Sequence, residues 1–176
     1  MSAERIKLAA EREIAELTRD PVLGQGRGRT TVRAPGGLTC EIEGDGRHMI
    51  ADMPESCGGG GKGPDPGFLI RAALGSCLAI DCRTWAARFN VPIDDIEIEI
   101  ESQLDARGML GLSHDIPPGY QKVACAIKIT SPASPDAVRR VVELAKAHNP
   151  RLYDMTHAIP VACDLTVVES SKETLS

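Results

Sequence analysis

Residues 66–89, PGFLIRAALGSCLAIDCRTWAARF, constrain the fold more than any other stretch of the chain. Asp65 is suited to cap a helix and Pro66 to fill its first position, so the spacing predicts a helix from about Pro66 to Phe89. Phe68, Leu69, Ala72, Ala73, Gly75, Cys77, Leu78 and Ile80 spread over much of its surface instead of lining one stripe. A helix that is apolar on most sides is buried on most sides. This one is therefore expected to be central, with other elements approaching it from several directions.

The remaining sequence supplies those elements. Residues 2–18 repeat Ile6, Ala9, Ala10, Ile14 and Leu17 at three- and four-residue steps, an amphipathic helix that Asp20-Pro21 ends. Three short strands follow, TTVRA, LTCEIE and RHMIADM, joined by PGG and GDG, both good hairpin turns. CGGGGKGPDPG is too rich in glycine for a strand and reads as a sharply bending loop. IDDIEIEIESQL alternates Ile96, Ile98 and Ile100 with Glu97, Glu99 and Glu101, a strand with one wet face. In QKVACAIKIT, Val123, Cys125, Ile127 and Ile129 share a face, so the two segments read as antiparallel neighbours. Ser134-Pro135 opens a further helix that stops at Asn149-Pro150, and IPVACDLTVVE reads as a last strand. Antiparallel strands interrupted by helices give an α+β class. A length of 176 residues suits one domain, taken as residues 22–176 with residues 1–21 as an N-terminal helix extension.

Composition removes several function classes. Aromatics are 3% and the formal net charge is -5, which leaves little to stack bases and nothing to attract a phosphate backbone; no nucleic-acid partner is expected. No run is long and apolar enough to cross a bilayer, so no membrane partner is expected. The N-terminus mixes charges and lacks an apolar signal core, which makes a cytoplasmic location the expectation. Six cysteines, at 40, 57, 77, 82, 125 and 163, are then free thiols, most of them small buried hydrophobes.

Other constellations lead nowhere specific. Cys40, His48 and Cys57 match no compact zinc pattern and lack an evident fourth ligand, so no metal is expected, nor any other cofactor. His114, His148 and His157 read as surface residues. GGGGKG lacks the spacing of a phosphate loop, because Gly63 follows Lys62, and the Asp65 beyond it would repel phosphate.

Cys77 and Cys82 are the exception worth pursuing. On an intact helix they point about 140° apart with Cα atoms roughly 8–9 Å apart, beyond the reach of a disulfide. Cys77 stands three turns from the helix start, where the dipole gives little help. A nucleophilic Cys77 therefore needs a fixed cation to favour its thiolate, from elsewhere in the fold or from a second chain. The competing reading is a core filler beside Gly75 and Ser76.

GPDPGFLIRAALGSCLA, preceded by the glycine loop, resembles the signature of the OsmC/Ohr family. The order of elements, the proline-bearing IPVACDLTV and the first hairpins match as well, so the resemblance covers roughly residues 22–169. It implies an intertwined α+β homodimer, with antiparallel sheets from both chains packed on a long central helix. It also implies a thiol-dependent peroxidase that reduces organic hydroperoxides, with an external thiol as reductant. Carried over by position, Cys77 falls on the peroxide-attacking cysteine. The activating Arg falls on Arg27, with Arg29 and Arg33 as alternatives. The acid of the family falls near MPESCGG, where Ser56 is the closest match and Glu55 sits beside it. The resolving cysteine falls on Asn149, so the second thiol is absent, and external thiol, Cys82, Cys125 or Cys163 would have to resolve the sulfenic acid. That departure leaves a second expectation open: a non-catalytic OsmC-like dimer that binds a small apolar ligand or serves as a scaffold.

Overall fold

The computed structural model describes residues 2–169. Met1 and residues 170–176, which complete the expected units 1–21 and 22–176, lie outside the described residues. Helix α1 (Ala3–Arg19) leads through a 3-10 turn to three strands, β1 (Thr30–Gly36), β2 (Thr39–Gly44) and β3 (Arg47–Ala51). Helix α2 (Pro66–Arg88), β4 (Asp95–Gln103), the short α3 (Ala106–Met109), β5 (Lys122–Thr130), α4 (Pro135–Ala147) and α5 (Pro150–Thr156) follow. The fold is mixed α+β with two small antiparallel sheets, β1-β2-β3 and β4-β5.

Local chemistry accounts for most boundaries. Asp65 accepts a hydrogen bond from the Phe68 N–H at 3.0 Å and so caps α2. Ser134 does the same for α4 through the Ala137 N–H. The hairpin turns use Gly37 and the Asp45-Gly46 pair in the left-handed region, the conformation such turns require. The β4 register sets Ile96, Ile98 and Ile100 opposite Ile129, Ile127 and Cys125, and the isoleucines are half-buried while the glutamates face out.

Helix α2 packs against β4, α1, α4 and α5. Gly75 lets it lie close on the sheet, because a Cβ there would stand 3.3 Å from Ile100 Cγ1. Near the start of α2 the Arg71 guanidinium donates to Ser102 Oγ and Tyr120 Oη, both at 3.4 Å, and Tyr120 donates to the Gly67 carbonyl at 3.0 Å. Leu74, Leu78, Cys82, Ala86 and Ala87 of α2 join Val141 and Ala145 of α4 in the core.

That core is thin, and three features stay uncovered. Phe68, Ile70 and Ile80 of α2 remain 51%, 48% and 64% exposed, so the helix is not buried on the sides its composition demands. Every residue of β1 is exposed, and none of β1–β3 packs extensively on a helix of its own chain. The third is the expected last strand. Residues 159–169 form no strand, and Val161, Leu165 and Val167 are about four-fifths exposed or more. The alternation is there, but a strand exists only with a ladder partner, and among the described residues no sheet edge supplies one.

Two more expectations need correction. Asn149-Pro150 ends α4 but also starts α5, since Asn149 caps the new helix and Pro150 takes its first position. Of the six cysteines only Cys82 is buried; Cys57, Cys125 and Cys163 are exposed. The faces that would cover the strand cysteines are missing from a single chain. The amphipathic stripe of α1 is partly used: Ile6, Ala10 and Leu17 are half-buried, whereas Ile14 is exposed.

Truncating Leu78, 1% exposed, to alanine removes a core side chain shared with α4 and is expected to cost about 2–5 kcal/mol. Urea unfolding of Leu78→Ala beside Ile80→Ala measures it. Should the two variants unfold alike, the core has been misplaced.

Candidate functional site

Cys77 lies three turns into α2 and is half-buried. On the helix it shares a face with Ile70, Ala73 and Ile80, the uncovered side, and its sulfur is therefore near the surface of the single chain. Cys82 points elsewhere, is completely buried, and burial with the neighbouring Asp81 pushes its thiol up from the ordinary cysteine range. A thiol in that state is inert. The two helix cysteines thus differ in access.

The residues expected to hold a Cys77 thiolate are not assembled within one chain. Arg27 and Arg29 lie on the exposed arm before β1. Arg33 is on β1 and engages Glu43 at 3.3 Å, both side chains more than half exposed. Glu55 and Ser56 are exposed in a 3-10 turn, where Ser56 Oγ stands 4.0 Å from Cys57 Sγ. Among the described residues no hydrogen bond or ion pair links Cys77 to any of them.

The glycine loop before α2 is built around an acid that the sequence reading missed. Asp52 is 1% exposed. Its carboxylate accepts hydrogen bonds from the Met53, Gly60 and Lys62 N–H groups and from Thr39 Oγ1, at 2.8–3.2 Å. Burial pushes its pKa up, but together those donors outweigh this and hold it below the ordinary aspartate value. A Cβ at Gly59 would collide with the Met53 carbonyl, and one at Gly63 with the Ile50 carbonyl, so these glycines are required by close approach. The loop N–H groups that would greet a phosphate are already spent on Asp52. An acid ending a strand just before a glycine run was the available signal.

Asn149, at the position expected for a second thiol, is 2% exposed and fully employed. Its Oδ1 accepts from the Leu152 N–H at 2.7 Å, and its Nδ2 donates to Asp81 Oδ2 at 2.7 Å. It thereby ties α5 to α2 one turn beyond Cys77. Burial raises the Asp81 carboxyl above the ordinary aspartate value, against the pull of Asn149 and His148. Of the alternative thiols, Cys125 lines a cavity of about 310 Å³ between α2, β5 and α5, with Leu74, Tyr120 and Met155.

His114, His148 and His157 are exposed, as read from the sequence; His148 lies tilted against Trp85 and His157 stacks on Tyr153. Cys40, His48 and Cys57 stand on β2, on β3 and in the turn. Among the described residues no group of three or more His, Cys, Asp or Glu side chains is placed to hold a metal ion. No helix there is long and apolar enough to cross a membrane.

Comparison with known proteins gives this arrangement a context. The profile of the family described as OsmC-like protein matches residues 59–164. The fold is similar to that of an OsmC-like protein from Mycoplasma pneumoniae, at 14% identity and a TM-score of 0.63, covering 75% of this chain and 89% of that one. A putative osmotic stress induced and detoxification response protein from Psychrobacter arcticus aligns at 19% identity and a TM-score of 0.58, covering 73% and 88%. An organic hydroperoxide resistance protein OsmC from Legionella pneumophila aligns at 19% identity and 0.54, covering 74% and 89%. At these identities the likeness is one of fold. No curated protein sequence matches the chain.

Replacing Asn149 with alanine removes the α5 cap and is expected to cost about 1 kcal/mol, together with lost order in residues 150–156. Hydrogen exchange of α5 amides tests this, and unchanged protection would show that the cap carries no weight.

Proposed function

The chain belongs to the OsmC-like protein family, and on that premise we propose that it is a homodimeric thiol-dependent peroxidase acting on organic hydroperoxides. The observation that carries the reading is the contrast within α2, where Cys77 keeps access to the uncovered face while Cys82 is sealed. Cys77 is the nucleophile. Its thiolate attacks the terminal peroxide oxygen, an S–O bond forms as the O–O bond breaks, and the alcohol departs, leaving a sulfenic acid. A thiol reductant condenses with the sulfenic acid, releasing water and giving a mixed disulfide, and a second thiol frees Cys77. Asn149 supplies no thiol, so external reductant performs the resolution. Six free cysteines suit a reducing compartment, and the cytoplasm is the proposed location.

A second copy supports this chemistry in two ways. A compact chain of 18.8 kDa would expose about 8,300 Å², whereas this one exposes 13741 Å². The surplus is surface that a second copy could cover. Second, Arg27 lies on an arm whose sheet does not pack on its own α2. We assign Arg27 of one chain to the Cys77 of the other, with Glu55 as the partner of that Arg. Arg33 is the weaker choice because Glu43 already engages it.

One observation favours a second reading. Asn149 is a buried cap rather than a vacant substitute for cysteine, which suits a non-catalytic dimer that binds a small apolar ligand. Light scattering should give a particle of two chains under either reading, and turnover separates the two. Cumene hydroperoxide with a dithiol should be consumed by wild type and by Cys82→Ser, at least a hundredfold more slowly by Cys77→Ser, and dimedone should label Cys77. Absence of the Cys77 adduct, or equal losses in the two cysteine variants, would sink the peroxidase reading.

A further inference from the structure

We infer that Asp81 is the proton donor to the leaving oxygen when Cys77 cleaves a peroxide. The inference rests on Cys77 being the peroxide-attacking nucleophile.

Asp81 follows Cys77 by four residues, so the two side chains are neighbours along one face of α2, with Cβ atoms about 5–6 Å apart. Helical side chains lean toward the N-terminus, which carries the Asp81 carboxyl back over the turn that bears Cys77. The carboxyl is fixed: Oδ2 accepts from Asn149 Nδ2 at 2.7 Å, and Asn149 is itself locked by capping α5. Oδ1 has no hydrogen-bond partner among the described residues, and because no buried polar atom there lacks a partner, Oδ1 keeps contact with solvent. One oxygen is thus held and the other is open to solvent, on a residue one turn along the helix from Cys77. The titratable groups bearing on it are His148, at the end of α4, and Cys82 on its own helix. Arg83 is engaged with the Ile93 and Asp94 carbonyls and Lys7 of α1 with Asn90, so neither neutralises it. Burial favours the protonated acid, which also spares the Cys77 thiolate a neighbouring negative charge.

The step balances. The thiolate displaces the alkoxide from the terminal oxygen, which keeps its own hydrogen and becomes the sulfenic hydroxyl. Sulfur is oxidised by two electrons and the O–O bond reduced. Asp81 gives its proton to the alkoxide, leaves as carboxylate, and regains a proton from solvent. Such a donor accelerates most when the leaving group is a strong base.

Two oxidants read this directly. Cumene hydroperoxide expels an alkoxide and needs the proton; peracetic acid expels acetate and does not. In Asp81→Asn, which keeps an acceptor for Asn149, sulfenic acid formation at Cys77 should slow about a hundredfold with cumene hydroperoxide and less than threefold with peracetic acid. In wild type the ratio of the two rates cancels the thiolate fraction, so it should fall as pH rises through the titration of Asp81, which burial moves above the ordinary aspartate value, and this arm needs no variant. Equal losses with both oxidants in a folded variant, or a ratio flat with pH, would overturn the donor role. If wild type forms no sulfenic acid with either oxidant, it is the peroxidase reading that has failed.

Discussion

A helix apolar around most of its circumference must be covered around most of its circumference, and α2 is not covered by its own chain. Leu74, Leu78, Cys82 and Ala86 are sealed, but Phe68, Ile70 and Ile80 stand in solvent. The same shortage appears at the three-stranded sheet, which lacks a helix to rest on, and at residues 159–169, which alternate like a strand but find no edge. Three deficits in one chain have a single economical remedy, which is the proposed second copy. Hydrophobic cover would then be acquired on association, and folding and dimerisation would be coupled.

On the proposed reading, this constraint also places the chemistry. The uncovered stripe of α2 is the one that carries Cys77. On the proposed reading, the arm that leaves its own sheet unpacked brings Arg27 to the partner's thiol. The polar contacts around α2 work in the opposite sense, inside one chain. Asp81 and Asn149 hold α5 against the turn after Cys77, and Arg71, Ser102 and Tyr120 hold the helix start against β4 and the loop that leads into β5. The site would thus have a rigid half from one chain and a cationic half from the other.

Much of the fold was legible because local rules agree with it. Asp65-Pro66 and Ser134-Pro135 announce helix starts, and the period-two isoleucines announce β4. The same grammar misled at Asn149-Pro150, where a stop signal is equally a start signal and only tertiary contact with Asp81 reveals the second role. Residues 159–169 have the right pattern for a strand and no ladder, since pattern specifies faces and not partners. Cys125 and Cys163 were expected to be buried for that reason and are not. At the proposed site, Cys77 is marked out by its neighbours in sequence. Asp52 and Asp81 are not, because what distinguishes each of them is the set of donors folded around it.

The central claim is that the reactive site is finished by a second copy, and complementation between two crippled chains tests it. Cys77→Ser lacks the nucleophile and Arg27→Gln lacks the cation, so each alone should be inactive. Co-refolded, half the dimers are mixed, and each mixed dimer holds one intact Cys77 facing one intact Arg27. Activity should return to about a quarter of wild type, since nucleophile and cation are then complete at one site in four. A mixture no more active than its parents would contradict the account and return Arg27 to its own chain or remove it from the site.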